Sequence, residues 1–469
     1  MTAWIARTLL FGFAIAALPG DDAAVRHAVD RLSFGARAGD VEHVKAIGID
    51  RYLDEQLHPE RLPDAGLDAR LAEFTTLQLT SREIAEKFEL PQQLARRAAA
   101  ANGNASDFKP NPAEQQRANT PILELQEQKV LRAVYSTRQL QEVLVDFWFN
   151  HFNVDARKGA DRFMLTEYER DAIRPHVLGK FRDLLGATAK SPAMLFYLDN
   201  WMSVDPNGLH VAFPRARIPL QNPNAPKGLN ENYGRELMEL HTLGVDGGYT
   251  QQDVTEVARA FTGWTIDQPR QGGGFRFDPR RHDDGKKLVL GHVINGGGQR
   301  DGEQVLEILA KHPSTARFIA TKLVRRFVSD TPPPALVDRA AARFKATDGD
   351  LREVMRTILT STEFFAAEAY HAKVKTPFEF VVSAARATDA EIHDARVLVR
   401  QIAELGEPLY QCQPPTGYKD TADAWVNTGA LVGRMNFGLA LAANKLRGVV
   451  VSNAEPDGVA LGRPEFQRR

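Results

Sequence analysis

The chain of 469 residues contains a single cysteine, Cys412. One thiol excludes an intramolecular disulfide framework, and it excludes zinc or iron–sulfur sites built from several cysteines. A chain of this length can fold on core burial alone, so the lack of disulfides is compatible with export. Nothing in its neighbours Gln411, Gln413 and Pro414 marks the thiol as a nucleophile. We therefore interpret Cys412 as a packing residue.

The chain also has almost no net charge. It contains 59 lysine and arginine residues against 60 aspartate and glutamate residues, a formal net charge of -1. This balance provides no general attraction to nucleic acid, and no recognised nucleic-acid motif is present, so we predict no nucleic-acid partner. Local basic residues such as Lys322, Arg325 and Arg326 are typical of the solvated face of one helix.

Several sequence motifs that would identify a type of catalytic or binding site are missing. The chain has no His-Glu-x-x-His pair of the zinc proteases and no Gly-x-Ser-x-Gly nucleophile elbow. Its triple-glycine runs at 272–274 and 296–298 match neither a phosphate-binding loop nor a dinucleotide fingerprint. The sequence therefore supports none of these four types of site.

The N-terminal apolar run at 8–18 is too short to cross a bilayer. It follows Arg7 and precedes Pro19, an arrangement typical of the hydrophobic part of a signal peptide. We predict a signal peptide over residues 1–20, no membrane span in the mature chain, and export to the periplasm or the extracellular space. The alternative is a buried N-terminal helix of the mature fold.

Helical periodicity dominates the rest of the chain. It predicts a mainly α, multi-helix globular fold with a small β-hairpin or sheet insertion near residues 272–296. Thr80 and Glu83 form a capping box that predicts the start of one helix. The predicted organisation is an N-terminal helical subdomain (22–100), a flexible linker or loop (101–120), a main helical domain (121–445) with a β insertion (264–302), and a C-terminal tail (446–469).

The segment 203–226 is rich in proline, asparagine and glycine and has no sustained period. A loop of this length is uncommon inside a compact fold, and such loops are often functional. We therefore predict that it is a lid or a binding loop.

The segment 228–244 contains many polar side chains, and its pattern predicts one short helix. Asn230 is a suitable N-cap for it. Glu236 and Glu239 are spaced i and i+3 and share one face of the helix. His241 lies two residues beyond Glu239, about 200° further around the helix. It therefore belongs to the apolar face rather than to the carboxylate stripe.

Two further segments carry candidate functional groups. His151 lies on the apolar stripe of an aromatic helix, and His282 and Asp283 lie in a glycine-containing loop before a strand. We predict that these residues complete a catalytic site with the helix carboxylates, which would act as acid/base groups or ligands. The predicted ligands of a divalent metal such as zinc, iron or manganese are Glu236, Glu239, His151 and His282.

Each of these residues also has a structural explanation. Arg235 can pair with Glu239 along the helix. His151 can be a neutral core histidine bonded to a carbonyl group, and His282 can lie in a solvated turn. His241 near a helix C-terminus interacts favourably with the helix dipole.

Ten segments resemble, in the expected order, a family of bacterial proteins. They are RHAVDRLSFGARAGDVEHVKAIG, DFWFNHFNV, YERDAIRPHVLGKFRDLL, SPAMLFYLDN, GLNENYGRELMELHTLGVDGGYT, HDDGK, HPSTARFIATKLVRRFV, LTSTEFF, KVKTPFEFV and WVNTGAL. Together they cover roughly residues 25–440. On these segments the chain resembles the family catalogued as domain of unknown function 1800.

The resemblance implies an exported bacterial protein and no particular activity, cofactor or catalytic residue. Members are often encoded beside a second uncharacterised exported family, which implies a partner protein. The chain departs from the family pattern at Gly234, where alanine is usual, and a mid-helix glycine costs about 1 kcal/mol. The segment 203–226 is also longer and richer in proline than is usual, which puts a shared lid function in doubt.

Two functions are open at this point. The first is an exported enzyme with a mixed carboxylate/histidine site that is covered by the segment 203–226. The second is a non-catalytic binding or assembly protein of the cell envelope, in which the same polar residues form an internal network.

Overall fold

The computed structural model describes residues 20–101, 111–207, 228–451 and 458–469. In these residues the protein is mainly helical with short two-stranded antiparallel sheets, so the predicted fold class is confirmed. None of the helices found there is both long and apolar enough to cross a membrane. The predicted signal peptide, apart from Gly20, and most of the predicted lid lie outside the described residues.

The helices run through the whole of the described chain. The first group consists of α1 (Asp22–Leu32), α2 (Asp40–Ile47), α3 (Ile49–Leu57), α4 (Ala65–Leu71), α5 (Ser81–Ile84), α6 (Leu90–Ala101), α7 (Pro112–Tyr135), α8 (Gln139–His151), α9 (Asp161–Glu167), α10 (Phe181–Lys190) and α11 (Pro192–Tyr197). The second group consists of α12 (Glu231–Glu239), α13 (Gln251–Ala260), α14 (Gln299–Lys311), α15 (Pro313–Phe327), α16 (Pro334–Ala346), α17 (Leu351–Leu359), α18 (Pro377–Ala387), α19 (Arg396–Glu404), α20 (Thr428–Ala442) and α21 (Gly458–Gly462).

The strands form short antiparallel pairs. They are β1 (Trp264–Ile266) with β2 (Phe275–Phe277), β3 (Lys287–Val289) with β4 (His292–Ile294), and β5 (Ala390–Ile392) with β6 (Val449–Val451). The first two pairs confirm the β insertion predicted from the sequence. The third pair was not predicted, because its two strands are far apart in the chain and no local turn joins them.

The second half of the predicted linker is helical. Asn111 caps α7, its Oδ1 accepting a hydrogen bond from the Ala113 amide at 3.0 Å. Pro112 is tolerated at the first helical position, where an amide hydrogen would have no partner in the helix. The low apolar content of this stretch reflects exposure of the first turns of α7 rather than a missing helix.

Helices α12 and α13 form a helical hairpin. Asn230 caps α12 by accepting from the Tyr233 amide at 3.1 Å, and Thr250 forms a capping box at the start of α13. A Cβ atom added at Gly234 would lie 2.8 Å from Val254 O. The glycine therefore permits a close approach of the two helix backbones, which offsets its low helix propensity.

A buried ionic centre joins α15, α18 and the last described residues. Glu379 Oε1 lies 2.7 Å from Arg326 Nη1 and 2.8 Å from Arg469 Nη2, and all three side chains are almost completely buried. Burial alone would raise the pKa of Glu379, but the two guanidinium groups lower it to about 2. The end of the predicted C-terminal tail is thus packed into the protein.

One buried apolar core contains residues of both predicted helical regions, from Ala24 in α1 to Leu461 in α21. Helix α8 is buried over most of its length, including the polar residue His151 at its end. The polar groups of α8 therefore face other parts of the protein instead of solvent. The candidate site lies at the end of α8 that carries His151.

We expect Glu379→Gln to lower the free energy of unfolding by about 3–5 kcal/mol, because two buried guanidinium groups lose their carboxylate. Urea denaturation followed by circular dichroism measures this change. The matched control is Glu404→Gln on the exposed face of α19, for which we expect a change within about 0.5 kcal/mol. Equal stabilities of the two variants would contradict the central role of Glu379.

Candidate functional site

A cavity of about 260 Å³ lies between α8, α15 and the segment after α19. We call residues 407–421 of that segment the cavity loop. The charged residues that line the cavity are Lys129, Asp146, Lys322, Arg325, Arg326, Glu407, Lys419 and Asp420. Because charged groups are costly to bury without partners, those that are enclosed by the protein need a physical explanation.

Two asparagines of the Asn-His-Phe-Asn segment hold the cavity loop against α8. Asn150 Nδ2 donates to Tyr418 O at 2.8 Å, and Asn150 Oδ1 accepts from the Tyr418 amide at 2.7 Å. Asn153 Nδ2 donates to Cys412 O and to Pro414 O, both at 2.9 Å. Side-chain amides can replace backbone partners in this way because each offers both a donor and an acceptor. The loop is therefore fixed as one wall of the cavity.

His151 points its two ring nitrogens at different partners. Its Nε2 lies 3.1 Å from His241 O. A carbonyl oxygen only accepts hydrogen bonds, so Nε2 carries the hydrogen and Nδ1 carries the lone pair. Burial, together with the neighbouring Lys322, holds the pKa of His151 well below its usual value. The ring is therefore neutral, with its basic nitrogen turned towards α15.

Lys322 of α15 donates from Nζ to His151 Nδ1 at 2.8 Å. Its ammonium also lies 5.5 Å from the centre of the Phe318 ring. Among the described residues it forms no ion pair with a carboxylate. Burial lowers the pKa of Lys322 to about 8, even though Asp420 nearby acts to raise it. A sizeable fraction of this amine is consequently neutral near physiological pH.

Glu407 opens the cavity loop and is buried. One of its oxygens, Oε2, accepts from the Phe378 amide at 2.8 Å. Burial, and the negative charge of Asp146 nearby, raise the pKa of Glu407 to about 8. The carboxyl group is therefore mostly protonated at neutral pH and can donate a proton.

Asp146 has compensating cations on two sides. Its Oδ1 lies 2.8 Å from Lys129 Nζ, and its Oδ2 lies 3.6 Å from Arg326 Nη2. Lys129 Nζ also lies 5.1 Å from the centre of the Tyr410 ring and 5.7 Å from that of Phe149. Such aromatic faces stabilise a cation that has lost part of its water. The charge of Asp146 is therefore compensated by Lys129 and Arg326 of the protein itself.

Two residues of the cavity loop have unusual local environments. Tyr410 has a backbone φ of 62°, a left-handed conformation that is uncommon for a non-glycine residue and often occurs at functional sites. Burial raises the pKa of the Cys412 thiol to about 11. The thiol is thus protonated and unreactive at neutral pH, as its neighbours in the sequence suggested.

Of the five residues predicted as catalytic, His151 alone lines this cavity. Glu236 and Glu239 lie on a half-exposed face of α12, and Glu239 Oε2 accepts from Tyr249 Oη at 2.8 Å. Burial, and then the negative charge of Glu239, raise the pKa of Glu236. The two carboxylates therefore interact as predicted from their spacing, while their role as an acid/base pair stays a prediction.

His282 and Asp283 fasten their loop to neighbouring elements. His282 Nδ1 donates to Thr262 O at 2.7 Å, and its Nε2 lies 3.1 Å from Asp301 Oδ2 in a fully buried contact. Asp283 accepts two hydrogen bonds from Arg259, at 2.7 and 3.1 Å. These contacts explain both residues as structural, and a catalytic role for them stays a prediction.

The four predicted metal ligands are not assembled into one site. In the part of the chain that the structure describes, no group of three or more His, Cys, Asp or Glu side chains is placed to hold a metal ion. Both ring nitrogens of His151 and of His282 are engaged in hydrogen bonds with different partners.

The interpretation of the basic residues of α15 as a solvated face is wrong. Arg326 is buried at the ionic centre, and Lys322 and Arg325 line the cavity. The spacing i, i+3 and i+4 placed the three on one face of α15, but no local pattern shows that this face meets α8. The contact of His241 with His151 was also not predicted. His241 contributes its backbone carbonyl, which any residue type would supply.

The cavity lies within the range matched by a family model. The model for proteins of unknown function DUF1800 matches residues 27–464. The chain belongs to this family. No curated protein and no solved structure gives a match. The DUF1800 match includes every residue described above as lining the cavity, together with the Asn-His-Phe-Asn segment that organises it.

Three buried histidines make the stability of the protein depend on pH. Burial lowers the pKa of His27 and of His241 to about 3 from 6.5, and that of His151 well below 6.5. The unfolded chain therefore binds more protons below pH 6.5. Each histidine stabilises the fold above that pH, and this contribution is lost as the pH falls towards the lowered value.

We therefore expect the free energy of unfolding to decrease between pH 6.5 and 5, with a slope for each buried histidine that grows from about 0.7 to about 1.4 kcal/mol per pH unit as the unfolded histidine becomes protonated. Urea denaturation at several pH values measures the slope. A His241→Gln variant should show a shallower slope than the unsubstituted protein. Equal stability at pH 7 and pH 5 would contradict the neutral state of these rings.

Proposed function

We propose that the protein is an exported enzyme whose active site is the cavity beside His151 and which catalyses proton transfer on a small polar substrate. The observation that carries this proposal is that Lys322 and Glu407 line one cavity while the pKa of each lies at about 8. A base and an acid tuned towards the working pH are a hallmark of acid/base catalysis. The apolar run at 8–18 and the family resemblance support export.

Each group has a distinct part in this proposal. Lys322, in its neutral form, is the base that removes a proton from the substrate. His151 holds Lys322 by accepting one of its hydrogens at 2.8 Å, which leaves the nitrogen lone pair free to face the cavity. Glu407, protonated at neutral pH, donates a proton to the group on which negative charge develops.

The test is an assay for turnover with variants that preserve the fold. Glu407→Gln keeps a neutral, hydrogen-bonding side chain, so we expect stability to change by less than about 1 kcal/mol. The purified protein is incubated with a bacterial metabolite extract, and consumed and formed compounds are measured by mass spectrometry. We expect turnover by the unsubstituted protein and a loss of about a hundredfold or more in Glu407→Gln and in His151→Gln.

Glu236→Gln is the discriminating variant in the same assay, because Glu236 lies outside the cavity. Retained turnover in Glu236→Gln together with loss in Glu407→Gln supports the cavity as the active site. The reverse pattern would transfer the function to the carboxylate pair of α12. Turnover that is absent from the unsubstituted protein, or unchanged in all variants, would reject the proposal.

A second candidate function is binding of a partner protein, and a specific observation favours it. Val432, Met435 and Leu439 of α20 are 52%, 46% and 46% exposed. Their spacing of i, i+3 and i+7 forms a narrow apolar stripe of the kind that packs against another helix. The occupant we propose is an apolar helix of the exported protein that the family resemblance implies as a partner.

Met435→Asp would place a charge in the middle of this stripe, so we expect it to weaken the complex at least about tenfold. Co-purification and sedimentation with the neighbouring gene's product measure binding. The matched control is Asn436→Asp, which adds the same charge beside the stripe and should leave binding unchanged. Failure of the unsubstituted protein to bind that product, or equal binding by Met435→Asp, would reject this function.

A further inference from the structure

We infer that Lys322 is a nucleophile that forms an imine with the carbonyl group of the substrate, and that Arg325 binds a carboxylate of the same molecule. The substrate class is then a small oxo acid, with the carbonyl carbon close to its carboxylate. This inference rests on the proposed function of the cavity, and it adds a covalent step at the Lys322 amine that precedes the proton transfer.

The surroundings of Lys322 differ from those of three other enclosed lysines, and they also differ from those of Lys375, which has no carboxylate partner among the described residues but does not line the cavity. Lys129 Nζ lies 2.8 Å from Asp146, and Lys287 Nζ lies 2.6 Å from Asp301. Lys373 is paired with Asp330. Lys322 instead donates to a neutral imidazole and forms no ion pair with a carboxylate of the described chain. An amine without a counter-ion, held beside an open volume, is arranged to react rather than to neutralise a charge.

Arg325 supplies a second recognition group on the same helix. It follows Lys322 by three residues, so the two side chains extend from neighbouring positions on one face of α15 and both line the cavity. Its one described hydrogen bond is a long contact of 3.4 Å from Nε to Asp330 O. No carboxylate of the described residues pairs with its guanidinium. The fork of donors therefore stays available for a planar carboxylate.

The electrostatic surroundings favour the neutral amine. Asp420 of the cavity loop opposes deprotonation of Lys322, while burial and the charge of Arg325 on the same helix promote it, and the pKa is about 8. About a tenth of such an amine is neutral at pH 7, compared with well under a thousandth for an ordinary lysine. His151 is neutral as well and adds no positive charge that would repel a protonated imine.

The step balances without an oxidant or a reductant. The lone pair of the Lys322 amine forms a bond to the carbonyl carbon, and the carbonyl π electrons move to oxygen. The oxygen takes one proton from the nitrogen and a second from an acid, for which Glu407 is available in the cavity. It then leaves as water, and the carbon–nitrogen bond becomes a double bond bearing one proton and a positive charge. This charge draws electrons from the adjacent carbon and acidifies its hydrogens.

The test traps the imine on the full-length protein. The protein is incubated with pyruvate and sodium cyanoborohydride, digested, and analysed by mass spectrometry for reduced adducts on each lysine. We expect a saturable adduct at Lys322. Lys375 is the internal control, because burial lowers its pKa to about 8 as well, but its Nζ lies 2.7 Å from Ser383 Oγ and outside the cavity. We expect Lys375 to stay unmodified.

Two variants separate the roles of the two side chains. Lys322→Arg keeps a positive hydrogen-bond donor at the site and should abolish the adduct while retaining the thermal unfolding midpoint. Arg325→Gln should raise the half-saturating concentration of pyruvate about tenfold, because a charged hydrogen-bonding partner is lost. It should leave trapping of the uncharged probe propanal unchanged, since propanal carries no carboxylate.

Adducts spread evenly over exposed lysines, or an unchanged adduct yield in Lys322→Arg, would overturn the imine. Equal loss of pyruvate and propanal trapping in Arg325→Gln would overturn the carboxylate site. The proposed function fails independently of these results, because it is tested by turnover in Glu407→Gln. Turnover that depends on Glu407 without any trapped adduct would reject the imine and leave the acid/base site in place.

Discussion

Two guanidinium groups share one buried carboxylate, and the geometry of the cavity depends on this contact. Glu379 of α18 holds Arg326 of α15 and Arg469 at distances of 2.7 and 2.8 Å. Arg326 follows Lys322 by four residues, about one helical turn. Fixing Arg326 therefore also fixes the face of α15 that carries Lys322. A buried ion pair adds little net stability compared with apolar packing, but it strongly disfavours arrangements in which one partner is lost.

A single physical cause, burial, acts in opposite directions on the two titrating groups of the cavity. It disfavours the charged form of each, so it lowers the pKa of Lys322 and raises that of Glu407 until both are about 8. Burial is the largest cause of both shifts, and neighbouring charges add to it: Asp146 raises the pKa of Glu407 further, and Arg325 lowers that of Lys322 further. Asn150 in α8 and Asn153 just after it contribute indirectly, because they hold the cavity loop that carries Glu407 and forms one wall of the cavity.

The parts of the structure that the sequence predicted correctly are those set by local chemistry. The cap at Asn230, the capping box at Thr80 and the short hairpins after α13 depend on neighbours a few residues away. His151 could be singled out because a polar ring on an apolar stripe needs a specific partner. Its partner Lys322 is 171 residues away, and no periodicity reports which helix faces meet. The pairing of β5 with β6 was not predicted for the same reason, since the two strands are far apart in the chain.

The acceptor that sets the protonated nitrogen of His151 is the main-chain carbonyl of residue 241. Every amino acid carries that carbonyl, so replacing the side chain there removes no hydrogen bond to the ring. The tautomer is consequently protected against most point substitutions at its own partner position. Insertions, deletions or proline substitutions that shift the backbone at the end of α12 would instead change the tautomer. Homologous chains should therefore differ in the residue at this position more readily than in the number of residues in the segment that follows α12.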